Sequence, residues 1–146
     1  MYKIPAGFDS AFPSVTVLTN ILGDPTSGRL QKSLVKNKLA AFAYGFNFQW
    51  GEPSVMTFLA QLGGEEDIEP TKIKLIETLE NVLETPITAA EVSRAKSKLL
   101  KQYKLSFNSS QTIALELSEW IGMGDWRLMF LDRDGLEKVS LESVQA

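Results

Sequence analysis

The side chains that carry most enzyme chemistry are missing from this chain, which holds no histidine and no cysteine. Zinc and most other transition-metal sites draw on imidazole or thiolate ligands, and Ser-His-Asp and Cys-His catalysis uses the same groups. The chain is therefore expected to contain no catalytic, cofactor-binding or metal-binding residue, and to act by packing, shaping a cavity or holding a partner. Four groups retain some chemical potential. Ser27-Gly28-Arg29 opens a helix, where free N–H groups and a guanidinium could hold an anion, although a cap after the Pro25 turn explains the same residues. Glu65, Glu66, Asp67 and Glu69 could face Ca²⁺ or Mg²⁺. They lack the D-x-[DN]-x-[DN]-G spacing and are read as a solvated loop. Arg94, Lys98 and Lys101 share a helical face that could draw an acidic partner, yet with Glu91 beside them they are read as a solvated face. Asp125-Trp126-Arg127 is read as a helix cap beside a buried indole.

The composition is that of one ordinary globule. The chain has 146 residues, 44% of them hydrophobic and 23% charged, enough for a single core. A formal charge of −3 and a pI near 5.0 give no bias toward polyanions, so nucleic acid is not an expected partner. No apolar run reaches the roughly 20 residues of a membrane span, and the start, Met1-Tyr-Lys-Ile-Pro, has no charged leader followed by an apolar stretch. The absence of cysteine fits a reducing compartment and equally a periplasmic protein without disulfides, so the compartment stays open.

The elements that must position these residues follow from periodicity. Tyr2 to Ala6 reads as the end of a strand, closed by Pro5 and Gly7. Asp9 or Ser10 is expected to cap a helix with Pro13 in its first turn and a stripe of Ala11, Val15, Leu18 and Leu22, stopped by Gly23. A turn at Asp24-Pro25-Thr26-Ser27-Gly28 leads into a short helix that buries Leu30 and Leu34. Phe42, Tyr44, Phe46, Phe48 and Trp50 then alternate with Ala41, Ala43, Gly45, Asn47 and Gln49, the clearest strand signal in the chain. The aromatic face could present a surface for apolar peptide side chains but is expected to be core, and the small or polar face to meet water or a closely approaching helix. Val55 to Leu62 returns as an antiparallel partner.

Pro70 begins a helix with Ile73, Ile76, Leu79 and Leu83 inward, ended by Pro86. Thr88 and Glu91 form a capping box, with Ile87 and Val92 placed as its hydrophobic staple. That helix runs toward Leu105, Ser109 or Ser110 caps another through Ile121, Asp125 caps a short one, and Ser140 begins the last. The order is a strand, two helices, two strands and several helices: an α+β pattern, with an antiparallel or mixed sheet packed against helices. Both ends resemble cuts through a larger fold.

The succession of local phrases carries more information than any one of them. Ile21-Leu-Gly-Asp-Pro-Thr-Ser-Gly-Arg-Leu30, Lys32-Ser-Leu-Val-Lys-Asn-Lys-Leu-Ala-Ala41, Thr85-Pro-Ile-Thr88 leading to Glu91 and Arg94-Ala-Lys96, Gly124-Asp-Trp-Arg127 and Val139-Ser-Leu-Glu-Ser-Val144 occur in that order. Together they resemble the insulinase/pitrilysin family of zinc peptidases, which includes the mitochondrial processing peptidases, and more narrowly the second domain of the active half in large bacterial members. The likeness runs from about Ile4 to Ala146. It implies the metallohydrolase domain fold shared with LuxS, and one wall of a closed chamber for short or unfolded peptides. The family's H-x-x-E-H zinc motif has no counterpart in a chain without histidine, so zinc is expected only in a larger parent. Some family domains carry an Arg and a Tyr, seven residues apart, that touch substrate. Val35 and Phe42 stand at the matching places, without guanidinium or hydroxyl, and no substrate role transfers to them.

The sequence thus points to residues 1–146 as a single non-catalytic domain of a larger zinc peptidase. Its expected partners are the remaining domains of the parent and a peptide substrate, with neither nucleic acid nor membrane. The resemblance leaves a periplasmic parent open. The alternative is a standalone inactive scaffold, or a module that captures extended peptides by strand addition at an exposed edge. Uncovered strand edges also predict self-association as a homo-oligomer.

Overall fold

The computed structural model describes residues 1–64 and 67–146. Strands β1 (Tyr2–Ile4), β2 (Phe42–Asn47) and β3 (Ser54–Gln61) form an antiparallel sheet in the order β1-β3-β2. The register pairs Phe42 with Gln61, Tyr44 with Leu59 and Phe46 with Thr57. Because side chains alternate across a strand, these six residues share one face, while Ala43, Gly45 and Asn47 share the other with Ala60, Phe58 and Met56.

Helix α1 (Phe12–Gly23) packs on that second face. Ala43 is fully buried there, and Gly23, the last residue of α1, meets Gly45 backbone to backbone. The small residues are therefore the core side of β2, which reverses the expected burial of the aromatic side. Phe42, Phe48 and Trp50 are 41%, 39% and 53% exposed. A helix can approach a sheet this closely only where side chains are absent or minimal, and a row of rings would hold it off.

After α1, Asp24 turns the chain into a π-helical turn, Gln31–Val35, where Lys36 N–H donates to the Gln31 carbonyl at 3.1 Å. Leu30 and Leu34 are buried as expected. Helices α2 (Ile68–Glu80), α3 (Ala89–Ser106), α4 (Ser110–Gly122), α5 (Leu128–Lys138) and α6 (Leu141–Gln145) complete the fold. The α+β class with an antiparallel sheet packed against helices is thus the observed one.

Two hydrophobic clusters share α1. Phe12, Leu22, Leu30, Leu34, Met56 and Phe58 lie between helix and sheet, while Val17, Ile21, Ile87, Val92, Leu136 and Val144 lie between α1 and the later helices. Buried on two sides, α1 has a wider apolar face than the single stripe read from its sequence. Its start is also simpler: Ala11 occupies the N-cap without a side-chain bond, and Asp9 instead accepts from Ala11 N–H at 2.8 Å.

Other helix starts follow the expected chemistry. Thr88 and Glu91 close a capping box at the head of α3, with Ile87 and Val92 buried beside it. Ser109 accepts from Thr112 N–H, and Ser140 and Ser143 close a second box before α6. The inward stripe of α2 differs from the expected one. Ile73, Ile76 and Leu83 are exposed, whereas Thr71 is buried and Leu75, Leu79 and Val82 pack on the core. Thr71 donates to the Leu39 carbonyl at 2.7 Å and Thr78 to Ser33 Oγ at 3.0 Å, so hydroxyls occupy positions that apolar counting skips. Trp126, expected to be buried, is half exposed.

Candidate functional site

Among the described residues, no group of three or more His, Cys, Asp or Glu could hold a metal ion. The acidic loop divides: Asp67 caps α2 by accepting from Glu69 N–H, Glu69 lies 3.5 Å from Lys72, and Glu65 and Glu66 fall outside the described residues.

The helix start at Ser27-Gly28-Arg29 is occupied from within the chain. Asp24 Oδ1 accepts from Thr26 N–H at 2.9 Å, Ser27 N–H at 2.8 Å and both of their hydroxyls, while its second oxygen meets Lys98 Nζ. Burial alone would raise this carboxyl. The bonds from Lys98, Thr26 and Ser27 outweigh it and hold the group well below the ordinary carboxylate range. Lys98 therefore belongs to an internal ion pair and departs from the solvated face expected for Arg94, Lys98 and Lys101.

Arg29 is likewise engaged. Its Nε and Nη2 donate to the two oxygens of Glu91 at 2.9 Å each, and Nη1 and Nη2 reach the carbonyls of Thr85 and Pro86. The Arg29 bond is the first cause of the low Glu91 pKa, about 2, against burial and with help from Thr88. These groups brace the α1 exit against α3 and offer no open anion site.

At the far end of β2, Gln49 Nε2 donates to Gly7 O and to Asp132 Oδ1, each at 3.0 Å. Burial pushes the Asp132 carboxyl up, partly offset by this bond. Asp132 borders a cavity of about 410 Å³ between the β1–α1 connection and α5. Asp125 does not cap α5 as expected: the N-cap is Arg127, without a side-chain bond, and Asp125 instead closes the turn before it by accepting from Arg127 N–H at 2.9 Å and pairing with its guanidinium.

The aromatic side of β2 is an exposed apolar surface, with Phe42, Phe48 and Trp50 all open to solvent. Phe42, Tyr44, Phe46, Phe48 and Trp50 form a continuous ladder with successive ring centroids 5.2, 5.8, 5.2 and 4.9 Å apart. Leu59 extends the apolar surface onto β3, and Thr57, only 3% exposed, lies opposite Phe46. Val35 and Phe42 have different fates: Val35 packs against the sheet-side cluster, and Phe42 is one end of the ladder. The sequence signal that could have found this surface was present in Ala41, Ala43 and Gly45, the small residues that alternate with the rings.

A family profile for the peptidase M16 inactive domain matches residues 9–99 of this chain. The chain belongs to the M16 peptidase family. The crystal structure described as the inactive peptidase domain of a zinc protease from Bordetella parapertussis is 36% identical, with a TM-score of 0.89 over 99% of this chain and 77% of that chain. Zinc protease PqqE of Helicobacter pylori is 29% identical over 140 residues, or 90% of this chain. This chain spans 31% of the length of PqqE. A solved protease from Helicobacter pylori shares the fold at 24% identity, with a TM-score of 0.88 over 98% of this chain and 35% of that one. The M16 inactive-domain assignment agrees with the insulinase/pitrilysin resemblance read from the sequence.

Proposed function

We propose that this chain is a non-catalytic domain of a larger zinc peptidase, where it forms part of the peptide chamber and supports a catalytic domain bearing H-x-x-E-H. The carrying observation is the inactive-domain match at residues 9–99 in a chain that contains no histidine. Two His and a Glu would hold zinc in the catalytic domain, and a further Glu there would activate water. This chain supplies shape and surface. Its sheet turns one face to α1 and leaves the other, lined with aromatic rings, free to line a cavity.

Metal content and cleavage test the reading. The chain alone, dialysed and analysed for metal, is expected to hold no stoichiometric zinc and to cleave no unfolded peptide. Zinc at one equivalent, or cleavage abolished by a chelator, would overturn it. In the full-length protein, deleting this segment is expected to leave the zinc site loaded while lowering kcat/KM for peptide cleavage. Unchanged kcat/KM would remove the chamber role.

A further inference from the structure

We infer that the cavity between the β1–α1 connection and α5 is a binding site for an alkylammonium group, with the Asp132 carboxylate as its counter-ion. The inference stands apart from the chamber reading and uses none of the aromatic side of β2. Its ground is a charge that the chain itself leaves unmatched. Asp24 and Glu91 show how this fold treats an inward carboxylate: Lys98 meets the first and Arg29 the second. Asp132 borders the cavity and is drawn out of water by its surroundings, yet no cation meets it. Among the described residues its Oδ1 accepts only from the uncharged Gln49 side chain, at 3.0 Å, and its Oδ2 accepts no hydrogen bond.

The clamp that Gln49 makes between Gly7 O and Asp132 does not account for the charge. A neutral amide in place of the carboxyl would accept the same bond without drawing a charge out of water. The neighbouring cations are placed elsewhere. Arg133 pairs with Asp134. Lys138 also borders the cavity, but it lies six residues further along α5, about 9 Å by helical rise, and forms no ion pair among the described residues. Asp9, on the β1–α1 side, adds a second carboxylate whose Oδ1 accepts from Ala11 N–H and whose Oδ2 accepts no hydrogen bond among the described residues. The counter-ion must therefore come from outside the chain.

Size and lining choose its class. The cavity, about 410 Å³, is large enough for a small organic molecule. Pro13, Trp120, Leu128 and Leu131 give it apolar walls that suit a carbon stem, and an indole such as Trp120 is the ring that attracts a cation most strongly. A divalent metal takes six or more oxygen ligands, and no group of three acids is available among the described residues. An ammonium needs one or two carboxylate oxygens, and its stem needs the apolar walls. A free amine and a lysine side chain of an adjoining domain present this same chemistry.

The test is isothermal titration calorimetry of the whole chain with n-hexylammonium, with 1-hexanol and hexanoate as neutral and anionic ligands of the same chain length. Hexylammonium is expected to saturate one site with Kd of about 1 mM or tighter, and both controls to bind at least about tenfold more weakly. Asp132→Asn keeps the outline and the acceptor for Gln49, so its melting transition should be retained. It should weaken hexylammonium about tenfold and erase the preference over hexanol. No saturation by hexylammonium up to about 10 mM, equal binding of hexanol, or unchanged affinity in the folded variant overturns the site. The hexanol comparison needs no variant, so the inference can fail even if Asp132→Asn does not fold. Given binding to this chain, the same titration on the full-length protein separates the sources: saturation there assigns the site to a free amine, and its loss there assigns it to a lysine of an adjoining domain. Neither result depends on whether deleting this segment changes kcat/KM, so this site and the chamber role stand or fall separately.

Discussion

Thr57 and Asp24 are both buried polar residues, and their surroundings treat them in opposite ways. Asp24 receives both the amides and the hydroxyls of Thr26 and Ser27 in addition to Lys98, so its charge is compensated. Thr57 Oγ1 is buried with no hydrogen-bond partner among the described residues. A buried hydroxyl without a partner destabilises by about 1–3 kcal/mol, and an apolar replacement of the same shape removes that loss. Thr57→Val keeps the β-branched outline that a central strand favours. It is expected to raise stability by about 1 kcal/mol, read as a higher urea midpoint with an unchanged slope. A lower midpoint would show that the hydroxyl has a partner in solution. The Asp24 turn was legible as a turn and cap from Asp-Pro-Thr-Ser-Gly. Its partner Lys98 lies 74 residues away, and no local pattern announces such a pairing.

At the scale of elements, the meeting of α1 with β2 decides which side of the sheet is inside. A methyl group on Gly23 would press into the Gly45 backbone, and neither the end of α1 nor the middle of β2, paired along its length with β3, can yield without repacking. Gly23→Ala is therefore expected to destabilise by roughly 2–3 kcal/mol, despite a gain in helix propensity of about 1 kcal/mol. Gly122, at the end of α4, would meet nothing within 4 Å. Gly122→Ala is expected to be neutral or slightly stabilising, and similar losses at both positions would show that close approach is not the cause.

The same contact explains what the sequence could and could not convey. Alternation from Phe42 to Trp50 identified a strand, and Thr88 with Glu91 identified a helix start, because both signals are local. The buried side of β2 depended on α1 arriving at Gly45, a long-range event, and hydrophobicity alone chose the wrong face. In α2 the inward positions include Thr71 and Thr78, whose hydroxyls bond to Leu39 O and Ser33 Oγ. Apolar periodicity could not see those bonds and favoured Ile73 and Ile76 instead. The absence of histidine needed no geometry, which is why the lack of a zinc motif was readable at once while the aromatic surface was not.

Across the whole molecule, two clusters with α1 between them must hold together, and Leu18 and Val82 pack against both. The polar links run the same way. Lys98 on α3 holds Asp24 after α1, and Glu91 at the head of α3 holds Arg29, which also gathers the carbonyls of Thr85 and Pro86. Acid should loosen this junction. Glu91 falls from an ordinary 4.5 to about 2 in the folded chain, so between these values the unfolded chain binds more protons than the folded one. Stability from this group is complete above about pH 4.5 and is lost as pH falls toward 2. The low pKa of Asp24 acts in the same direction. Discounted for partial screening, the Glu91 contribution is about 2 kcal/mol. Glu91→Gln keeps an oxygen for the cap and loses the charge. It is expected to lower the urea midpoint at neutral pH and to flatten its decline between pH 5 and pH 2.5 relative to the parent chain. Equal declines in both proteins would assign the acid sensitivity to Asp24 or other carboxylates, and the Arg29 pairing would then be a geometric clamp with little electrostatic share in holding the two clusters together.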